Sequence, residues 1–305
     1  MAKILDGKKL AEKIKAQVKE EVEKLKKKKV NIKLSVILAG EDPASQIYVK
    51  NKIKMAEEVG ILSEVLRFEK DVTEEVISYH ISNLNENDDV DGILVQLPLP
   101  ETIEPFRILD QIDPLKDVDG FHPYNIGLLQ LGRARLKPCT PTGIIELLKE
   151  YNIEIKGKEA VVVGRSDIVG KPMAIMLLQE NATVTICHSK TENLKEVTSR
   201  ADILVAAIGK PGFIKRDMVK KGAVVIDVGI NTIKTKAEAL KFFAKDPLKL
   251  QKFMEKGSAL IGDVDYYDVF DKVSYITPVP GGVGPLTVAV LMSNCLKAAT
   301  ARRII

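Results

Sequence analysis

One short stretch limits the fold more than any other. Ala160–Val163 is an unbroken apolar run, Gly164 ends it, Gly170 follows, and helical spacing of apolar residues continues to Leu178. Further apolar runs come at Thr183–Cys187, Ile203–Ala207 and Ala223–Asp227, separated by helix-like segments. Strands buried on both faces and alternating with helices predict a doubly wound parallel sheet of Rossmann type. The turn is Gly-x5-Gly rather than Gly-x-Gly-x-x-Gly. Small residues there still let backbone approach a phosphate at a helix N-terminus, although plain turn chemistry uses glycine equally.

The N-terminal half shows the same alternation. Leu10, Ile14, Val18, Val22 and Leu25 form one helical stripe. Leu34–Leu38 reads as a strand, and Asp42-Pro43 opens a helix that Gly60 ends. A strand near Val65–Phe68, a helix capped by Thr73 and a buried strand at Gly92–Leu97 follow. Residues 113–140 are rich in Asp, Pro and Gly and mark a domain junction, and Pro141 starts a connecting helix. The fold class expected is α/β with two domains. The first is an N-terminal α/β catalytic domain, residues 1–138, which the C-terminal helix, 280–305, rejoins. The second is a Rossmann domain, 139–279, with a lysine-rich helical insertion near 234–258.

Composition removes several classes. Apolar residues make up 45% and charged residues 29%, as in an ordinary globular protein. The lysine run 26–29 closes an amphipathic helix with no interleaved aromatics, which argues against a nucleic-acid partner. Three distant cysteines give no disulfide framework, and three histidines give no spacing for a metal. The start does not read as a signal peptide, and no apolar run is expected to approach membrane length. These readings predict a soluble protein of a reducing compartment, with no membrane partner.

Two polar residues interrupt apolar patterns. Tyr48, Lys52, Met55 and Val59 share one helical face, so Lys52 falls on an inward stripe. An ammonium withdrawn from water is costly unless it is paired or loses its proton, and burial draws an amine toward acid–base chemistry. A lysine snorkelling at the core rim explains the pattern too. Gln96 interrupts Ile93-Leu94-Val95 near the carboxyl end of a strand, where ligands of open α/β sheets bind. Its buried amide needs partners, which backbone, a lysine amine or a ligand would supply. Asp113, Asp117 and Asp119 follow in the next loop, either as turn formers or with one accepting hydrogen bonds from an amino-pyrimidine edge.

The second Rossmann strand bears on the cofactor. NAD sites usually end it with an acid for the ribose 2′-hydroxyl. Here His188-Ser189-Lys190-Thr191 follows Cys187, and Arg165 follows Gly164. A guanidinium suits a phosphate, so NADP is favoured over NAD. Asp167 places an unexpected negative charge inside the turn. His188 reads as a capping histidine and is given no catalytic role.

Nine segments in order resemble the bifunctional methylenetetrahydrofolate dehydrogenase/cyclohydrolase family. They are Ser45-x-x-Tyr48-Val-x-x-Lys52, Val95-Gln96-Leu-Pro-Leu-Pro100, Lys116-Asp-Val-Asp-Gly120 and Pro138-Cys-Thr-Pro-x-Gly143. Gly164-Arg-Ser-x-Ile-Val-Gly170-x-Pro172, Cys187-His-Ser-Lys-Thr191 and Val225-Ile-Asp-Val-Gly-Ile-Asn231 come next. Gly262-Asp-Val264 and Thr277-Pro-Val-Pro-Gly-Gly-Val-Gly-Pro285 complete the set. The resemblance implies NADP-dependent oxidation of 5,10-methylenetetrahydrofolate to the methenyl compound, then hydrolysis to 10-formyltetrahydrofolate. The alternative is a monofunctional dehydrogenase without the hydrolytic step. It implies Lys52, Gln96 and Tyr48 as catalytic residues. Tyr48, Lys52, Gln96, Asp119, Gly281 and Gly282 would bind the tetrahydrofolate substrate. Gly164, Arg165, Ser166, Ser189 and Ile230 would bind NADP. A cytoplasmic homodimer serving one-carbon metabolism and purine biosynthesis is part of the same implication.

Overall fold

The computed structural model of the chain describes residues 2–303. Residues 1, 304 and 305, at the ends of the expected domain ranges, lie outside it. In chain order the elements are β1 (Lys3–Ile4), α1 (Gly7–Lys27), β2 (Lys33–Ala39), α2 (Pro43–Val59), β3 (Leu62–Phe68), α3 (Glu74–Glu86), β4 (Gly92–Val95), α4 (Pro105–Leu109), α5 (Pro123–Gln130) and α6 (Cys139–Glu150). They continue with β5 (Glu159–Val163), α7 (Gly170–Gln179), β6 (Thr183–Cys187), α8 (Leu194–Thr198), β7 (Ile203–Ala206), β8 (Val224–Asp227), β9 (Asn231–Ile233), α9 (Lys236–Phe243), α10 (Pro247–Lys256), β10 (Ala259–Ile261), α11 (Tyr266–Val269), β11 (Tyr275–Ile276) and α12 (Val283–Arg302).

The chain divides into two compact units. One comprises Met1–Leu10 and Thr140–Leu286, the other Ala11–Cys139 and Thr287–Ile305. This differs from the expected boundaries at both ends of the chain. The expectation put residues 1–10 and the start of the C-terminal helix with the N-terminal domain. They belong to the sheet unit because β1 pairs in parallel with β11, Lys3 opposite Tyr275 and Ile4 opposite Ile276. Lys8 N also donates to Gly281 O at 3.0 Å.

The sheet unit holds six parallel strands in the order β1-β11-β8-β7-β5-β6. Val161, Val163, Leu204, Ala206 and Val225 lie in its core. From β5 the chain moves out to β6, then returns to β7 on the other side of β5. The direction of winding therefore reverses at β5, and the loops after β5 and β7 flank the crevice where such sheets receive ligands. The segment expected as an insertion is a pair of helices, α9 and α10, carried between the antiparallel strands β9 and β10. It has its own small core of Ile233, Phe242, Phe243, Phe253 and Ile261.

The second unit has a three-stranded parallel sheet, β3-β2-β4. Central β2 is buried on both faces, and Ile37, Ile77, Ile81, Ile93 and Ile108 share a core. Ile93 also bridges in parallel to Asp117, so the loop after α4 runs beside β4. By length and composition alone α12 is apolar enough to cross a membrane, against the expectation that no run approaches that length. Its Ala289, Leu291, Met292 and Cys295 are buried inside the protein, which is how a core helix passes the same test.

Candidate functional site

Helix α2 starts where the sequence signals place it. Asp42 caps it by accepting from Ser45 N at 2.7 Å, Pro43 fits the first turn, and Gly60 closes it in the left-handed conformation. Its buried stripe is Ser45, Val49, Lys52, Ala56 and Val59. This corrects the expected stripe in part: Tyr48 and Met55 are half-buried on its flank, while Lys52 is on the inward face and only 8% exposed. Lys52 Nζ donates to Gln96 Oε1 at 3.0 Å, and Gln96 Nε2 donates to Leu97 O at 2.7 Å. Gln96 N in turn continues the sheet by donating to Ile37 O. The amide is thereby fixed with its oxygen toward the lysine. A snorkelling lysine would reach water instead.

The three loop acids separate by their partners. Asp113 accepts from Leu115 N at 2.8 Å, an Asx turn. Asp117 accepts from Gly120 N, His122 N and the Asn125 amide, so it shapes the loop. Asp119 receives no hydrogen bond from the described residues. Burial pushes its carboxyl above the ordinary aspartate range; the nearby Lys52 opposes this and Asp117 adds to it. Asp119 lies near enough to Lys52 for the ammonium charge to act on its carboxyl. Lys52, Gln96 and Asp119 therefore come together within one unit, with Tyr48 one turn before Lys52 on α2. Burial also raises the Tyr48 phenol.

The nucleotide turn lies in the other unit. Gly164 has φ +133°, and a Cβ there would lie 2.2 Å from Ala207 O; one on Gly170 would lie 2.4 Å from Gly164 O. Only glycine suits a turn folded this closely. Ser166 Oγ accepts from Val169 N and Gly170 N, capping the start of α7. Asp167, the unexpected charge, forms an ion pair with Lys171 one turn on, which offsets it locally. His188 acts as a cap, its Nδ1 accepting from Lys190 N at 3.1 Å. Arg165, Ser166, Ser189, Lys190 and Ile230 are exposed at the carboxyl ends of β5, β6 and β8. A close-approach glycine turn, a helix N-terminus and two free-standing cations with no acid among residues 188–191 fit a phosphorylated dinucleotide. Gly281, with φ +108°, and Gly282 also belong to this unit, so the Lys52 constellation is built without them.

Lys116, Asn294, Asp227 and Asp263 are among the buried polar residues to which the sequence assigns no role. Lys116 is fully buried, and its ammonium donates to Leu84 O, Asn85 O and Asn87 O, closing α3 and anchoring the Asp119 loop. Asn294 donates to Val118 O and Lys137 O on either flank of that loop region. Asp227 and Asp263 are buried acids of the sheet unit. Asp227 had a readable signal, since it closes an apolar strand as Gln96 does.

Burial pushes Asp227 from 3.8 up to about 7; three backbone amides oppose this and the Asp263 charge reinforces it. The folded state then holds the proton more tightly than the unfolded chain. That contribution to stability is complete below the unfolded value and is lost as pH rises through about 7. At 1.36 kcal/mol per pKa unit the swing is about 4 kcal/mol. The stability gap between the wild type and Asp227→Asn, from urea unfolding, is expected to move against the wild type from pH 4 to pH 8. Parallel curves would contradict this.

Comparison with known proteins agrees with both halves. Residues 5–119 match the family described as the tetrahydrofolate dehydrogenase/cyclohydrolase catalytic domain. Residues 138–303 match its NAD(P)-binding domain. The bifunctional protein FolD of Lachnoclostridium phytofermentans is 53% identical over 299 residues, covering 98% of each chain. That of Acetivibrio thermocellus is 52% identical over 298 residues, covering 98% of this chain and 97% of the relative. Among solved structures, the bifunctional FolD methylenetetrahydrofolate dehydrogenase/cyclohydrolase of Campylobacter jejuni aligns with a TM-score of 0.89 at 46% identity, covering 99% of this chain and 100% of that one. The Trypanosoma brucei enzyme, complexed with NADP cofactor and inhibitor, aligns with 0.89 at 37% identity, covering 99% and 98%. With matches over both halves and this identity over nearly the full length, the chain belongs to the tetrahydrofolate dehydrogenase/cyclohydrolase family.

Proposed function

We propose that the protein oxidises 5,10-methylenetetrahydrofolate with NADP and hydrolyses the methenyl product to 10-formyltetrahydrofolate. The observation that carries this reading is the buried Lys52 amine, held at 3.0 Å by Gln96 near an Asp119 carboxyl that has no hydrogen bond among the described residues. NADP as the dinucleotide is supported by the residues after β6 and by the T. brucei relative described with that cofactor.

The dinucleotide, when bound, supplies the hydride acceptor. Gly164, Arg165, Ser166 and Ser189 would hold its phosphates, and Ile230 would hold its nicotinamide half through backbone. Asp119 accepts hydrogen bonds from the amino-pyrimidine edge of the pterin. Tyr48 lays a half-buried ring on the same planar system. Gly281 and Gly282 complete the proposed set of substrate-binding residues. These contacts orient the methylene carbon, which is most of what hydride transfer requires.

Hydrolysis needs more, because a proton must move. Water adds to the methenyl carbon, a C–N bond breaks, and of the two water protons one passes to the departing nitrogen and the other to solvent. Lys52 commits one N–H to Gln96 and keeps the others for the water or the nitrogen. Gln96, a neutral acceptor, orients the amine without making it an ion pair. The quaternary form proposed is a cytoplasmic homodimer, checked by sedimentation, with purine biosynthesis as the setting.

A single spectroscopic experiment tests the reaction. Protein is mixed with methylenetetrahydrofolate and either NADP or NAD, and methenyl absorbance is followed. The expected trace rises with NADP and then decays faster than the uncatalysed reaction. No rise with either dinucleotide would overturn the reading. A rise that decays only at the solution rate would leave the monofunctional dehydrogenase instead.

A further inference from the structure

The two buried acids of the sheet unit form a chain of contacts. Asp227 closes β8, and its carboxylate accepts from Gly229 N at 3.0 Å, Asp263 N at 2.8 Å and Val264 N at 3.0 Å. It thus fixes the backbone that presents Asp263. The Asp263 carboxylate accepts from three successive amides, Ile208 N at 2.7 Å, Gly209 N at 2.9 Å and Lys210 N at 2.8 Å. Its fourth partner is Asn231 Nδ2, at 2.9 Å. No cation pairs with either acid among the described residues; both are held by neutral donors. The fit leaves no spare room. A Cβ on Gly262 would lie 1.8 Å from Asp227 Oδ2, and one on Gly229 would lie 2.3 Å from Asp263 Oδ1.

These contacts converge on the sheet's reversal point. The amides gripped by Asp263 form the turn after β7, which faces the Gly164 turn after β5 across the ligand crevice. Ala207 O, one residue before that turn, lies against Gly164. Asn231, gripped by the same carboxylate, follows the exposed Ile230.

We propose that Asp263, backed by Asp227, is a positioning residue for the dinucleotide: it holds the turn 208–210 and the segment 229–231 in the shape that receives the cofactor. The inference rests on the dinucleotide reading above. A buried carboxylate satisfied by four donors is strongly orienting, since each donor it releases would lie unpaired.

The test uses hydrogen exchange and binding. Asp263→Asn keeps the volume but turns an NH2 toward donors. Faster exchange is expected at Ile208, Gly209 and Lys210, together with an NADP dissociation constant about tenfold weaker and a folate KM little changed. Exposed amides with unaltered NADP affinity would overturn the proposal. A purely structural role would instead weaken folate and NADP alike. Where the variant fails to fold, the wild type decides by exchange with and without NADP. Added protection at 208–210 and 229–231 is expected. Protection at 164–170 alone would sink the inference and leave the dinucleotide reading intact. No protection at either place would overturn both.

Discussion

Lys52→Met is expected to slow methenyl hydrolysis about 10²- to 10⁴-fold, the usual worth of a positioned acid–base group. Methionine fills the volume and removes the amine. It leaves Gln96 Oε1, on a half-buried side chain, without its donor, a cost to stability of about 1 kcal/mol. Oxidation is expected to fall less than hydrolysis, because hydride transfer depends mainly on alignment. NADP affinity should stay level, since Lys52 and the Gly164 turn belong to different units. Lys50→Met on the exposed side of the same helix is the control. Hydrolysis at the wild-type rate in Lys52→Met would end the proposed role.

Gly164→Ala should be strongly damaging to the sheet unit. The position has φ +133°, which L residues avoid at a cost of about 1–3 kcal/mol. The new Cβ would lie 2.2 Å from Ala207 O, a backbone atom at the end of β7 that cannot rotate away. Forcing it apart adds about 1–3 kcal/mol. Together these effects predict a Tm lower by roughly 10 °C and NADP affinity weakened about tenfold or more as the turn opens. Thermal melts and NADP titration check both. A variant with wild-type Tm would mean that the turn relaxes more easily than its packing indicates.

What could be read from the sequence follows from how local each signal is. Helix α2 was legible to the residue because Asp42, Pro43 and Gly60 each act on their own backbone. Strand β6 was equally clear. Strands β1 and β11 were not, because two residues carry no periodicity, and their pairing joins positions some 270 residues apart. That pairing shifted the expected domain boundary. Lys52 and Gln96 stood out as polar residues interrupting buried apolar patterns, and the structure brings them into contact. Local pattern does not choose among Asp113, Asp117 and Asp119, since all three are loop acids; the family resemblance alone singles out Asp119. Only their hydrogen bonds show that two are spent on the loop itself. Tyr48 was put on the buried stripe one residue early; Val49 occupies it. Asp263 showed no role in the sequence beyond its place in the Gly262-Asp-Val264 segment, because three of its four partners are backbone amides.

The chain passes from one unit to the other after Leu10, after Cys139 and after Leu286. Neither half is therefore a contiguous cassette. A gene split at the apparent junction near residue 139 would hand each product a foreign end: one piece would keep a strand belonging to its counterpart's sheet, and the other would keep most of a core helix it does not own. Recombination between relatives by a single crossover there would mix partners within both hydrophobic cores. Inheritance of the two units is bound together by the path of the backbone, whatever the chemistry each performs.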